Sequence, residues 1–177
     1  DASSPLMQKN LNLKVKFRES FRPFAPSVLI EDADKWFKLK SSSPYMLFVA
    51  SINDNIKYDL TDREEKLFGI EKLNIKRSTI PAVTHVDYSA RVQTVEKEKN
   101  YKYYKLIEKF KEKTKIPIIV NTSFNVRGEP IVNTPNEAFR CFMGTGLDIL
   151  VIGNCFLEKK KQIKTEKINY NLNFELD

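Results

Sequence analysis

An apolar run that stops abruptly in a cluster of polar residues is the strongest structural signal in this sequence. Residues 116–120 read Ile-Pro-Ile-Ile-Val and lead directly into Asn-Thr-Ser-Phe-Asn at residues 121–125. A short apolar run bounded by turn formers predicts a buried strand that enters a loop. Ligands commonly bind at strand ends in α/β sheets. We therefore expect a sheet protein that carries a polar loop at the end of the strand over residues 116–121.

The polar loop has a composition that suits a small ligand. It offers neutral hydrogen-bonding side chains at Asn121, Thr122, Ser123 and Asn125. Arg127 adds a fixed cation, and Gly128 allows a positive φ or a close approach of the backbone. This set fits a ligand with an amide-like end and an anionic end. The alternative is a loop that only satisfies its own backbone, because Asn, Ser and Thr are ordinary turn residues.

The size of the chain indicates a folded protein with its own core. With 177 residues, of which 41% are hydrophobic, it can form one domain. We assign residues 1–157 to that domain and residues 158–177 to a polar tail. No apolar stretch approaches the roughly 20 residues that cross a bilayer. The sequence opens on Asp1 without a signal peptide, which suggests a fragment of a longer protein.

The charge balance favours anionic partners. The formal net charge is +7, which suits phosphates, nucleotides, RNA or acidic surfaces. Much of the excess lies in residues 109–115 and 158–167, which are alternatively plain solvated surface. We expect Cys141 and Cys155 to be buried hydrophobic residues and not ligands or nucleophiles. His85 is the only histidine, so no His-rich metal site is predicted.

The hydrophobic pattern predicts an α/β or α+β sheet without a regular βαβ alternation. Helices are predicted over residues 31–39, 62–68, 100–113 and 134–144, the last with a Thr134–Glu137 capping box. Strands or extended segments are predicted over residues 11–18, 27–30, 45–52, 80–86, 89–95, 116–121, 148–152 and 154–157. Residues 53–75 read as a polar excursion from the core to which the sequence assigns no function.

Lysine and arginine residues recur at positions where simple exposure to solvent does not readily explain them. If residues 11–18 form a strand, Lys14, Lys16 and Arg18 share one face, because successive strand side chains alternate. Arg22 follows this stretch, and Arg91 lies on the predicted strand over residues 89–95. Convergence of these strand ends with Arg127 would enclose a pocket with several positive charges. The alternative is an edge strand whose exposed cations discourage aggregation.

Such a pocket would suit phosphate chemistry. Arginine binds carboxylate or phosphate oxygens as a fork, and lysine acts as a point charge. A carbonyl-phosphate ligand, or the α-phosphate of a nucleotide during adenylyl transfer, would need this arrangement. No side chain is needed as a nucleophile, so no catalytic residue is assigned. Glycine-rich phosphate loops are absent. Glu19 is expected to pair with an arginine, and Asp87 to form a turn.

Five long motifs in the same order resemble one known family, the carbamoyltransferases of nodulation and antibiotic biosynthesis (the NodU/CmcH family). They are KFRESFRPFAPSVL at residues 16–29, SPYM at 43–46, HVDYSARVQTV at 85–95, NTSFN with GEPIV at 121–132, and LDILVIG at 147–153. The likeness extends from about residue 10 to residue 157.

The resemblance implies the C-terminal domain of such an enzyme. That domain is YrdC-like, a twisted mixed sheet with flanking helices and a basic concave face. It binds carbamoyl phosphate and ATP, with magnesium, and forms carbamoyl adenylate. A separate N-terminal domain with a histidine-bound iron then transfers the carbamoyl group to an acceptor hydroxyl. The resemblance also implies a cytoplasmic biosynthetic enzyme and no membrane or nucleic-acid partner.

By motif position, the resemblance assigns carbamoyl phosphate contacts to Lys16, Arg22, Arg91 and Ser123. It assigns weaker contacts, to the nucleotide or in the same pocket, to Arg18, Asn121, Asn125 and Arg127. The N-terminal domain is absent from this sequence, so the chain is expected to bind or adenylate but not to transfer. The acceptor and the oligomeric state stay open.

Two other functions remain open from the sequence. A YrdC-like module with a basic face can be a non-catalytic RNA-binding domain. The aromatic residues argue against this, since most of them occupy core spacings and not an exposed stacking platform. The other alternative is a degenerate domain that scaffolds a partner.

Overall fold

The computed structural model describes residues 1–163 together with Tyr170 and Phe174. It divides into two compact units, and each is treated by itself. Unit 1 comprises residues 1–8 and 23–122; unit 2 comprises residues 9–22 and the described residues from 123 onwards. Most of the polar tail predicted over residues 158–177 lies outside the described residues. The predicted domain boundary at residue 157 stays a prediction.

Unit 1 is built on a four-stranded mixed sheet. The strands run in the order β2-β3-β1-β4, and the parallel pair is β1 with β3. The other two neighbouring pairs are antiparallel. The bounds of the strands are β1 Ala25–Leu29, β2 Phe48–Ser51, β3 Ser89–Val95 and β4 Ile118–Asn121. This confirms the predicted mixed α/β class.

The helices are mostly short. They are α1 Met7–Leu11, α2 Ala33–Trp36, α3 Asp62–Glu65, α4 Gly69–Leu73, α5 Tyr101–Thr114 and α6 Pro135–Gly144. Single 3-10 turns occupy Ile30–Asp32, Asp54–Ile56, Pro81–Val83 and Lys159–Lys161. The YrdC-like architecture and the concave face stay predictions.

Helix α5 covers the sheet of unit 1, as the spacing of its apolar residues predicts. The Asn100 side chain caps its first turn by accepting the Tyr103 N–H at 3.4 Å. Ile107 is fully buried and packs in one cluster with Leu29 and Val95. Burial of such side chains contributes about 1.5–3 kcal/mol each. This packing holds helix α5 against strands β1 and β3 of the sheet.

Unit 2 combines a capped helix with a hairpin. Thr134 accepts the Glu137 N–H at the start of α6, and the Glu137 carboxylate accepts the Thr134 N–H, which confirms the predicted capping box. The antiparallel pair β5 Ile149–Ile152 and β6 Cys155–Glu158 follows the helix. Val126, Cys141 and Tyr170 form a buried cluster in this unit.

The strand predicted over residues 11–18 is wrong. Helix α1 continues into a π-helical turn at Asn12–Lys16, and Phe17 closes it with a φ of +48°. The alternation is misleading because Lys16 is buried and Leu13 is 48% exposed, the reverse of what a strand would give at these two positions, although Val15 is buried. The backbone of this segment also bonds to a later part of unit 2, since the Gly146 N–H donates to the Lys14 carbonyl at 2.6 Å.

The buried side chain of Asn12 explains why this segment coils. Its amide nitrogen donates to the carbonyls of Ser20 and Arg22 at 3.1 and 2.9 Å. Its amide oxygen accepts from Arg18 Nε at 2.6 Å. One amide therefore satisfies three groups of the turn over residues 18–22. Local side-chain bonds of this kind compete directly with strand formation.

Smaller corrections concern individual segments and side chains. Part of the extended segment predicted over residues 80–86 is a 3-10 turn, which fits Pro81 at its first position. The helix predicted over residues 62–68 stops at Glu65. Cys155 is exposed, whereas Cys141 is buried as expected. The argument from spacing concerned most of the aromatic residues, and several of the others are exposed: Tyr45, Phe48, Phe68, Tyr101 and Phe156. Within the described residues, no helix has the length and apolarity of a membrane span.

We expect Asn12→Ala to lower the free energy of unfolding by about 3 kcal/mol, because buried polar groups that lose their partners each cost about 1–3 kcal/mol. Urea denaturation measures this change. The matched control is Asn10→Ala, at an exposed position of α1, which should stay within about 0.5 kcal/mol. Equal effects of the two variants would contradict the role given to Asn12.

Candidate anion-binding site

A cationic cavity of about 370 Å³ lies in unit 2. Four cationic side chains and a single carboxylate line it. Its volume is at the lower end of the range for small-molecule sites. The lining residues are Lys16, Arg18, Arg22, Ser123, Asn125, Val126, Arg127, Gly128, Glu129 and Pro130. Six of the eight residues that the sequence singles out therefore share one cavity.

Lys16 joins the segment 12–22 to the polar loop. Its side chain is buried, with 3% of the residue exposed. The ammonium lies 2.6 and 3.1 Å from the carbonyl and hydroxyl oxygens of Ser123. It lies 2.9 and 2.7 Å from the carbonyl and amide oxygens of Asn125. All four acceptors are neutral, so the cation is solvated by dipoles and is not neutralised by them.

The electrostatics of the cavity disfavour the charge on Lys16. Burial first, and then the neighbouring Arg18, lower the pKa of Lys16 from 10.5 to about 8, against smaller opposite effects of Cys141 and Glu129. Burial also lowers the pKa of Arg18, with Arg22 as the second cause. Desolvation and like charges both oppose the charged form. An anion placed in the cavity would relieve both effects.

The polar loop is largely satisfied within itself. The Ser123 hydroxyl donates to the Asn125 amide oxygen at 2.6 Å. The Asn125 amide nitrogen donates to the Glu129 carbonyl at 2.7 Å. The interpretation of the loop as one that satisfies its own backbone is therefore partly right. Loop and lysine form one network, which holds the Asn125 side chain in a fixed orientation.

Glu129 holds the turn that carries Arg127. The Glu129 N–H donates to the Val126 carbonyl at 3.3 Å, and the Val126 N–H donates back to the Glu129 carboxylate at 2.8 Å. Gly128 sits in this turn with a φ of +76°, as its position in the sequence predicts. The Tyr170 hydroxyl donates to the other carboxylate oxygen of Glu129.

Glu129 was not among the residues that the sequence singles out. Its place in the GEPIV motif, two residues after Arg127, is the signal that could have drawn attention to it. It also acts on Cys141: burial first, and then Glu129, raise the pKa of that thiol to about 12. A thiol with this pKa stays protonated and is a poor nucleophile.

Ion pairs orient two of the cavity's arginines. Glu19 lies 2.9 Å from Arg22 Nε and 3.4 Å from Arg127 Nη1. Its carboxyl pKa is lowered first by a hydrogen bond from its own backbone N–H and then, against a burial effect, by the two arginines. This confirms the interpretation of Glu19 as an ion-pair partner. Exposed ion pairs of this kind contribute little stability, so the effect of Glu19 is mainly to orient the two arginines.

The remaining two predicted site residues lie in unit 1. Arg91 is exposed on β3, opposite Val49 of β2. Asn121, at the end of β4, donates its amide to Gln93 Oε1 at 2.7 Å, and Ser27 donates its hydroxyl to the same oxygen at 2.7 Å. The sequence did not single out Gln93, which links β1, β3 and β4. Convergence of Arg91 with Lys16, Arg22 and Ser123 stays a prediction.

The one histidine does not form a hydrolytic triad. Ser89 donates its hydroxyl to Asp87 at 2.6 Å and lies 3.3 Å from His85 Nδ1. The Asp87 carboxylate thus accepts a hydrogen bond from the serine, whereas in a catalytic triad the carboxylate accepts one from the imidazole. Asp87 also accepts the Ser89 N–H at 3.0 Å, which is the turn-forming role expected for it. Within the described part of the chain, no group of three or more His, Cys, Asp or Glu side chains could hold a metal.

Comparison with known proteins gives a consistent result. A family profile described as Carbamoyltransferase C-terminus matches residues 1–159. An uncharacterized protein of Synechocystis sp. is 53% identical over the whole chain, which covers 29% of that protein. Nodulation protein NolO of Bradyrhizobium diazoefficiens is 39% identical over 85% of the chain, or 24% of that protein.

A further relative is the 3'-hydroxymethylcephem-O-carbamoyltransferase of Amycolatopsis lactamdurans, 29% identical over 82% of the chain and 24% of that enzyme. The chain thus spans less than a third of the length of these curated relatives. The profile match covers nearly all of the described residues, including both units. The chain belongs to the carbamoyltransferase C-terminal family.

Proposed function

We propose that this chain binds carbamoyl phosphate in the cationic cavity of unit 2 as part of an O-carbamoyltransferase. The observation that carries the proposal is the buried ammonium of Lys16, whose four acceptors are all neutral. Three arginines line the same cavity. Family membership supports the carbamoyl group as the cargo, and the name of the Amycolatopsis relative supports a hydroxyl as its acceptor.

The energetics favour a small dianion in this cavity. A buried charge without an ionic partner is costly, and the protein responds by lowering the pKa of Lys16. A phosphate group would neutralise it, and Arg22 and Arg127 would bind phosphate oxygens as forks. Lys16 would act mainly through its charge, since its hydrogen bonds hold Ser123 and Asn125. The carbamoyl end would face the polar loop.

The proposed reaction has two steps. Hydrolysis of carbamoyl phosphate releases phosphate and leaves carbamate. A carbamate oxygen then bonds to the α-phosphorus of ATP, the bond from the α-phosphorus to the oxygen that bridges to the β-phosphate breaks, and pyrophosphate leaves. Magnesium bound to the nucleotide would offset the charge of the pyrophosphate. The chain would contribute positioning and charge stabilisation and no nucleophile. The resemblance further proposes contacts to the nucleotide, or within the carbamoyl phosphate pocket, for Arg18, Asn121, Asn125 and Arg127, and a carbamoyl phosphate contact for Arg91.

Transfer to the acceptor hydroxyl is proposed for the part of the longer relatives that this chain does not match. The histidine-bound iron belongs to that same part in the proposal. A soluble, cytoplasmic location is likewise proposed from the family resemblance. Binding of RNA to the basic surface is the alternative that the following experiment separates.

Calorimetry with carbamoyl phosphate should show one site per chain. We expect Arg22→Ala to weaken binding about 10- to 100-fold, because a hydrogen bond to a charged group contributes about 1.5–3 kcal/mol. Arg91→Ala and Ser123→Ala should weaken it as well. The matched control is Arg140→Ala, an exposed arginine of α6 outside the cavity lining, which should bind normally.

Salt-sensitive binding to RNA without a response to carbamoyl phosphate would contradict this assignment. If Arg91→Ala alone left the affinity for carbamoyl phosphate unchanged, Arg91 would be removed from the proposed site. The assignment of the cavity of unit 2 would not be affected.

The adenylation step predicts pyrophosphate release from ATP that depends on carbamoyl phosphate. The assay uses a protein that carries this chain together with the additional length of its relatives. Arg22→Ala should reduce the rate at least about 10-fold through lost charge stabilisation, and Arg140→Ala should not. Phosphate release without pyrophosphate would remove adenylation from the proposal and leave carbamoyl phosphate binding.

A further inference from the structure

A second cavity, of about 490 Å³, lies in unit 1 beside the polar excursion over residues 53–75. Two backbone hydrogen bonds pair residues 56–58 with residues 77–79 beside it. The Tyr58 N–H donates to the Arg77 carbonyl at 2.8 Å, and the Thr79 N–H donates to the Ile56 carbonyl at 3.0 Å. The lining residues are Lys57, Tyr58, Asp59, Leu60, Glu65, Lys72, Arg77, Val86 and Tyr88. It shares no residue with the cavity of unit 2.

Arg77 is the unusual group in this cavity. Only 3% of the residue is exposed. Nη1 donates to the Ile75 carbonyl at 3.0 Å. Nε and Nη2 are buried and meet no acceptor among the described residues. Burial lowers the pKa of this guanidinium, against a smaller opposite effect of Tyr88. Buried polar groups are normally hydrogen-bonded, so two such nitrogens on one side chain need an explanation.

The geometry of a guanidinium tells which partner would suit these nitrogens. Nε and Nη2 share the side-on edge, where two N–H groups point in parallel. Carboxylate and phosphate oxygens accept that pair as a fork. Nη1 is already used, so the edge left over is the one that binds an oxyanion with two hydrogen bonds.

The other charges of the cavity narrow the choice of ligand. Three cations and two carboxylates line it. Lys57 is already paired with Asp54 at 2.6 Å and lies over the Tyr88 ring at 5.3 Å. Lys72 thus supplies the second positive charge of the lining that has no ion-pair partner among the described residues, while Asp59 and Glu65 can accept hydrogen bonds from hydroxyl groups. A ligand with one phosphate and several hydroxyls matches this set.

We propose that this cavity binds a phosphate ester of a polyol, with the phosphate on Arg77 and Lys72 and the hydroxyls on Asp59 and Glu65. The excursion over residues 53–75 then has a function, because it supplies most of the lining. The site does not depend on the function proposed for unit 2, and each can fail without the other.

Binding of ribose 5-phosphate to the chain tests the proposal. Measurements use an Arg22→Ala background, so that phosphate binding in the cavity of unit 2 is weakened. Calorimetry should show one site. Arg77→Gln should weaken it at least about 10-fold, because it removes a charged hydrogen-bonding fork. Lys72→Ala should weaken it about threefold, as expected for a half-exposed charge.

Three controls keep the test decisive. Lys66→Ala changes an exposed lysine of the same excursion that does not line the cavity, and it should bind normally. Ribose without phosphate should not bind. Because Arg77 is buried, the melting temperature of Arg77→Gln is also measured. If Arg77→Gln is unfolded, the result for Lys72→Ala decides the test. Absence of binding, or binding that Lys72→Ala leaves unchanged, overturns the proposal.

Discussion

The buried ammonium of Lys16 is the interaction on which the candidate site depends. It connects the coiled segment over residues 12–22 to the polar loop over residues 123–130 through Ser123 and Asn125. Removing it would take one donor away from four oxygens and would leave the two stretches joined by the Arg127 N–H bond to the Lys16 carbonyl and by the Glu19–Arg127 ion pair. The same group brings a positive charge into a place where burial opposes it. One side chain therefore contributes both to the structure and to the electrostatics of the cavity.

The surrounding residues reinforce this arrangement and indicate the kind of chemistry. Asn12 fixes Arg18, and Glu19 orients Arg22 and Arg127. Cys141 holds its proton, so the thiol is not a nucleophile. What the cavity offers is fixed positive charge and rigid dipoles. Such groups bind and polarise a small anion, which agrees with a family whose name denotes carbamoyl transfer.

The sequence predicts the regular elements well because their signals are local. Strand β3 and helix α6 are marked by alternation and by a capping box, and both form where expected. Residues 11–18 also alternate, but there the buried amide of Asn12 outweighs the pattern. A period of two over eight residues cannot reveal that a lysine, and not a leucine, is buried.

The candidate site was predictable to the extent that its residues carry charge. Lys16, Arg18, Arg22 and Arg127 stand out in the sequence, and they do share a cavity. Of the residues that hold them, Glu19 was predicted as an ion-pair partner, whereas Asn12 and Glu129 were missed. Glu129 is itself bonded by Tyr170, a partner 41 residues away. The buried edge of Arg77 likewise depends on backbone pairing across the excursion over residues 53–75. Such contacts between distant parts of the chain have no local signature.

The titration of Lys16 tests the central claim most directly. Nuclear magnetic resonance of the labelled side chain gives its pKa in the free protein and in the presence of saturating sulfate, a dianion whose charge is constant over the range used. The account predicts a pKa of about 8 in the free protein, against an ordinary value of 10.5, and a rise when sulfate binds. Anion affinity should accordingly fall as the pH is raised through that value. A free pKa at the ordinary value, or one that sulfate leaves unchanged, would contradict it.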